Sequence, residues 1–101
     1  MVGRPVHPGE ILAEELVELG ISAAGLARQI GVPGNRISQI LRGQRAVTGD
    51  TALRLGHWFG TSPTFWLNLQ AQYDLRLAER AHGRAIAKLP RRADAQGDRA
   101  A

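Results

Sequence analysis

Apolar residues recur at three- and four-residue intervals along most of the chain, glycine or proline interrupts them at short range, and no stretch alternates apolar with polar. That pattern predicts an all-α fold of five helices. Pro8 suits a first helical position, because its φ is already fixed and its missing N–H would find no partner there, and Gly20 ends the segment. Within it Ile11, Leu12, Leu16 and Leu19 fall on one side, while Glu10, Glu14, Glu15 and Glu18 fall mostly on the other. Ser22 is placed to cap a short second helix that buries Leu26, Ala27 and Ile30 and closes at Gly31. After a turn at Val32 and Pro33, a third helix is predicted from Gly34 to Arg42, stopped by Gly43. Its inward residues are Ile37, Ile40 and Leu41, and its outward ones Asn35, Arg36, Ser38, Gln39 and Arg42. Thr48 opens a fourth helix with Asp50 at its positive dipole end and Ala52, Leu55 and Phe59 inward, and Gly60 closes it. Gly56 inside that helix weakens it unless another segment must come close there.

Ser62 followed by Pro63 repeats the start signal for a longer fifth helix, which carries two apolar stripes. Phe65, Trp66, Leu69, Tyr73 and Leu77 form one, and Leu67, Ala71, Leu75 and Ala78 form a second on roughly the opposite side. One stripe can close the chain's own core, and the other needs a second surface. A symmetric copy is the simplest cover, giving a homodimer, and the C-terminal segment of the same chain is the alternative. From Gly83 the pattern weakens: Ala85, Ile86 and Leu89 could carry the helix to Pro90, and residues 91–101 read as a loose tail. The expected organisation is one domain over residues 1–82 and a basic extension, partly helical or flexible, over residues 83–101.

Composition narrows the function. A chain of 101 residues, 44% hydrophobic, can bury a single core and has no room for a second full domain. The absence of cysteine excludes a disulfide framework and any thiolate ligand or nucleophile, and agrees with a reducing, cytoplasmic setting. No apolar run approaches the roughly 20 residues that cross a bilayer, and Met1 to Pro8 is not a signal peptide, so no membrane partner is expected. A net charge of +4 and a pI near 11.0 favour polyanions. The charge is also uneven: up to Gly31, Glu10, Glu14, Glu15 and Glu18 stand against only Arg4 and Arg28, and nearly all other basic residues follow. The split suggests an anionic partner for one face and a cationic one for the other, although a solvated glutamate face explains the first half equally well.

The second and third predicted helices, joined at Gly31 to Pro33, have the layout of a helix-turn-helix. Ala27 is small where the two helices must meet, and Ile37 is a branched residue suited to holding the second across the first. Any helical hairpin could share these features. The exposed chemistry goes further, because Asn35 and Gln39 can pair with adenine edges and Arg36 with guanine O6 and N7, with Ser38 beside them. Arg42 and Arg45 lie just past the helix, where a phosphate backbone would run. Ser22 and the amides behind it are a further phosphate clamp, or Ser22 is only a cap.

Other chemistry finds little support. His7 and Glu10 stand three apart at a helix start with no second ligand pair, which reads as capping or surface rather than metal binding, and His57 has no companion. Asp50 and Asp74 lack the paired neighbours of a hydrolytic site. No glycine-rich phosphate loop or Ser/His/Asp arrangement occurs, so no enzyme, cofactor or small-molecule substrate is expected. Trp58, Phe59, Phe65, Trp66 and Tyr73 are spaced as core residues rather than as a base-stacking platform.

The run His7-Pro8-Gly9-Glu10-Ile11-Leu12, with Gly20-Ile21-Ser22, Leu26-Ala27, Asn35-Arg36-Ile37-Ser38, Gly43-Gln44-Arg45, Thr48, Asp50-Thr51-Ala52-Leu53-Arg54-Leu55 and Phe65-Trp66-Leu67-Asn68-Leu69-Gln70, resembles the HigA family of antitoxins with an Xre/Cro-type helix-turn-helix. The resemblance covers residues 7 to about 78. It implies a five-helix, lambda-repressor-like domain, dimerisation through the C-terminal region, autorepression at a palindromic operator, and binding of a HigB-type mRNA-cleaving toxin. It also implies that Asn35, Arg36, Ser38 and Gln39 read bases. Gly34 departs from the larger residue often found there, which removes one candidate base contact. For the toxin, Glu14, Glu15 and Glu18 form the candidate surface, and the basic stretch Arg84 to Arg92 is the rival. A stand-alone Xre-type repressor without a toxin, and an interaction module with a vestigial helix-turn-helix, are the other readings.

Overall fold

In the computed structural model, which describes residues 3–93, the elements follow as α1 (Pro8–Leu19), α2 (Ala23–Ile30), α3 (Gly34–Leu41), α4 (Gly49–Phe59) and α5 (Pro63–Ala87), with no strand among the described residues. The start signals act as local chemistry requires. Ser22, Thr48 and Ser62 each accept a hydrogen bond from a backbone N–H of the helix they open, at 3.0, 3.4 and 3.1 Å. α1 is capped by histidine: His7 Nδ1 accepts from Gly9 N–H at 2.9 Å, and the Glu10 carboxylate accepts in return from His7 N–H at 3.1 Å. The sequence reading of these two residues as a cap is what the structure has.

The core is formed by Leu12 and Leu16 of α1, Leu26, Ala27 and Ile30 of α2, Ile37 and Ile40 of α3, Ala52 and Leu55 of α4, Val47 before it, and Trp66 of α5. Two glycines allow contacts that a methyl group would block. A Cβ on Gly9 would run into the carbonyl group of Ile40, so the first turn of α1 rests directly on the end of α3. A Cβ on Gly56 would lie 2.9 Å from Pro63 N, so α5 starts against the backbone of α4, the close approach that the sequence required of a mid-helix glycine.

Three apolar residues expected inside are exposed: Leu19 at 55%, Phe65 at 46% and Leu77 at 43%. The chain reverses at Gly20, where φ is 67°, and leaves the last turn of α1 uncovered. α5 buries only Trp66 and Gln70, with Leu69 and Tyr73 half-buried, and then projects from the other helices in a molecule 59 Å long and 27 Å across. The helix passes through Gly83 without a break and ends at Ala87, so the boundary expected between 82 and 83 falls inside it. Of the predicted tail, residues 94–101 lie outside the described range.

The second stripe of α5 stays uncovered in the single chain. Leu67 and Leu75 are 39% and 56% exposed, and Ala71 and Ala78 are exposed beside them. The segment that could have folded over them continues outward, with Ile86 and Leu89 exposed as well. Among the described residues, the intramolecular cover is therefore ruled out.

Candidate nucleic-acid interface

α2 and α3 meet through Leu26, Ala27 and Ile30 on one side and Ile37 and Ile40 on the other, all buried. Between them Gly31 adopts φ 71°, a left-handed conformation that lets Val32 N–H reach back to the Ala27 carbonyl at 3.0 Å. A side chain from outside the pair locks this turn. Arg54 of α4 donates through Nη1 to the carbonyl oxygens of Ile30 and Gly31, at 2.8 and 3.2 Å, placing a cation on the negative end of α2.

With Ile37 and Ile40 fixed inward, the helical period leaves Asn35, Arg36, Ser38 and Gln39 on the outer side of α3. Asn35 is exposed and the other three are half-buried. Ser38 Oγ donates to the Asn35 carbonyl at 3.2 Å, so this hydroxyl is partly engaged by its own helix. Arg36 Nη1 reaches Asp50 Oδ2 at 3.2 Å. Gln39 Oε1 accepts from Arg45 Nε at 2.8 Å, which draws Arg45 back over α3 rather than leaving it beyond the helix end. Arg42, the residue that ends α3, is exposed with Nη1 3.5 Å from Gln44 Oε1. These six side chains form one cationic, hydrogen-bonding surface. Ser22 stands at the opposite end of α2 from the turn, its Oγ engaged as a cap.

The loop that carries Arg45 is held at two points that sequence reasoning did not assign. The buried His7 ring faces the Arg45 backbone carbonyl, and its edge meets Tyr73 of α5 with centroids 4.8 Å apart. Burial lowers the pKa of this imidazole from its ordinary 6.5, outweighing the Arg45 carbonyl and the nearby Asp74 and Glu10. Two residues further on, Val47 N–H donates to the buried Gln70 Oε1 at 2.8 Å, and Gln70 Nε2 donates to Asp74 Oδ1 at 2.9 Å. The available signal was a polar residue at 70 set among the inward positions Trp66, Leu69 and Tyr73. Glu10, bonded by Arg4 at 2.7 and 3.1 Å and by the His7 backbone, is held at about 2.

The other predicted residues lie elsewhere. Glu14 and Glu18 are exposed on α1 with Val17 between them at 82% exposure, and Glu15 is half-buried. Leu67, Ala71, Leu75 and Ala78 line the free side of α5. No group of His, Cys, Asp or Glu among the described residues is arranged to hold a metal, and no helix among them is long and apolar enough to cross a membrane.

Comparisons with known proteins bear on this surface. The helix-turn-helix family model matches residues 12–66. A HigA-family addiction module antidote protein from Coxiella burnetii is 52% identical and superposes with a TM-score of 0.87, covering 88% of this chain and 98% of that one. The antitoxin HigA of Pseudomonas aeruginosa, solved with the higBA promoter, is 46% identical with a TM-score of 0.83 over 86% of this chain and 97% of that one. Virulence-associated protein I of Dichelobacter nodosus is 51% identical over 73% of this chain and 69% of its own length.

Proposed function

Because the chain belongs to the HigA family of helix-turn-helix antitoxins, we propose that it is an antitoxin and autorepressor that binds a palindromic operator as a homodimer and neutralises a HigB-type mRNA-cleaving toxin. The observation that carries the DNA half is the outer face of α3, where Asn35, Arg36, Ser38 and Gln39 stand over buried Ile37 and Ile40 with Arg42 and Arg45 alongside. In this reading the first four meet base edges, and Arg42, Arg45 and the Ser22 end of α2 meet phosphates. The uncovered stripe of Leu67, Ala71, Leu75 and Ala78 pairs with its symmetry copy, because a projecting helix with this much exposed apolar surface loses free energy to water until another surface covers it. Pairing then sets the two α3 helices about 34 Å apart, one turn of DNA. The binding of the Pseudomonas relative to its promoter supports the same reading.

For the toxin, the acidic edge of α1 supplies the surface. Glu14 and Glu18 flank the exposed Val17, so an apolar contact is ringed by carboxylates suited to a basic partner, with Glu15 beside them.

Fluorescence anisotropy on duplexes from the region upstream of the chain's own gene tests the DNA half. Arg36→Ala should weaken the operator by about 1–3 kcal/mol and relax preference at one base, whereas Arg45→Ala should weaken all sequences alike and flatten the salt dependence. Equal losses on operator and random DNA for both variants reject this division of roles. Co-purification with the product of the adjacent gene tests the toxin half, and charge reversal at Glu14, Glu15 and Glu18 should slow that association. An unchanged on-rate removes α1 from the interface.

A further inference from the structure

We infer that Asp50, in the first turn of α4, sets base selectivity by holding the guanidinium of Arg36 in one orientation. The inference rests on the reading of α3 proposed above. Asp50 is not a free surface acid: its Oδ2 accepts from Arg36 Nη1 at 3.2 Å and from Arg54 Nε at 3.1 Å. Arg54 in turn is fixed to the carbonyl oxygens of Ile30 and Gly31 at 2.8 and 3.2 Å. A continuous chain of contacts therefore runs from the turn of the helix-turn-helix, through α4, to the side chain at the third position of α3. An isolated exposed ion pair does little, but one anchored in such a network is held in a single geometry.

The consequence lies in the geometry of the fork. A guanidinium presents five N–H donors in one plane, and Asp50 takes one of them, leaving donors to meet O6 and N7 of a guanine. Without the carboxylate, Arg36 would sample many rotamers and lose that freedom on binding, and it could turn to a different base or to a phosphate. Selectivity would fall on both counts. The same carboxylate is an anion on a surface meant for phosphates, so it opposes every DNA complex irrespective of sequence. Its removal therefore has two effects of opposite sign, tighter binding to random DNA and weaker discrimination.

The test uses the full chain, with anisotropy at fixed salt on duplexes tiled across the region upstream of its own gene and on a random duplex of equal length. Asp50→Ala should bind the random duplex at least as tightly as the parent, and the ratio of operator to random affinity should fall about tenfold. Asp50→Asn, which keeps the size of the side chain and removes its charge, should lose most of the same ratio, and thermal melts establish that both variants are folded. In an Arg36→Ala background, Asp50→Ala should leave the ratio where Arg36→Ala alone has put it, because the residue it positions is gone. An unchanged ratio in folded Asp50→Ala and Asp50→Asn overturns the inference, as does an equal fall in the Arg36→Ala background. Failure of the underlying reading looks different: the parent chain then shows no sequence preference upstream of its gene, or Arg36→Ala leaves the ratio intact, and the inference falls with it.

Discussion

Replacing Gln70 by leucine should destabilise the protein out of proportion to the conservative change in shape. Gln70 is 7% exposed, and its Oε1 is the acceptor for Val47 N–H at 2.8 Å, a donor that belongs to a loop and has no ladder to return to. Leucine leaves that N–H buried and unpaired, which costs about 1–3 kcal/mol. The lost bond to Asp74 adds little, because that carboxylate is exposed and rehydrates. The added apolar burial recovers less than about 1 kcal/mol. The net expectation is a loss of about 2 kcal/mol, or about 8–16 °C in Tm for a domain of this size. Urea unfolding at fixed protomer concentration measures it, with an unchanged m-value, since the midpoint of any self-associating chain depends on its concentration. Hydrogen exchange at the Val47 amide should accelerate well beyond that of the α1 core, and affinity for all DNA should fall as the loop bearing Arg45 loosens. A loss below about 0.5 kcal/mol with Val47 protection intact would refute the reasoning.

Further expectations concern the helix contacts, the free face of α5 and pH. Gly9→Ala should cost at least about 2 kcal/mol in chemical denaturation, because the new methyl meets the backbone of Ile40 rather than a side chain that can turn away. Gly34→Ala, where nothing lies within 4 Å, is its control and should be neutral or slightly stabilising. Leu75→Glu should yield a folded monomer by analytical ultracentrifugation with weakened operator binding, and an unchanged mass would place the interface elsewhere. On acidification, stability should be fully present above pH 6.5 and fall below it, because the unfolded chain protonates His7 before the folded one does and a protonated Nδ1 cannot accept from Gly9 N–H. His7→Asn, which retains a capping side chain, should remove that first decline in a pH series of melts. A second decline belongs to Glu10, whose contribution is present above about 4.5 and lost as pH falls through about 2, and Glu10→Gln should abolish it.

Much of the local architecture was legible because it depends on neighbours in the chain. The caps at Ser22, Thr48 and Ser62, the stops at Gly20, Gly31 and Gly60, and the inward residues of α2 to α4 follow from backbone bonding and the helical period, which act over one or two turns. Leu19, Phe65 and Leu77 were misassigned for the complementary reason: the period shows which side of a helix is apolar, and not how far along that side a neighbour extends.

The sequence alone therefore determined the five helices, the turn between α2 and α3, and the polar side of α3, since caps, stops and the helical period act between near neighbours in the chain. Only the tertiary structure decided that Arg36 is tied to Asp50, that Gln70 satisfies Val47, that Arg45 lies back on Gln39, and that α5 projects with one apolar side bare. Those facts join residues up to 23 positions apart. Their pairing is set by how the helices cross and by which buried donors are left without a backbone partner, quantities that exist only once the chain has packed.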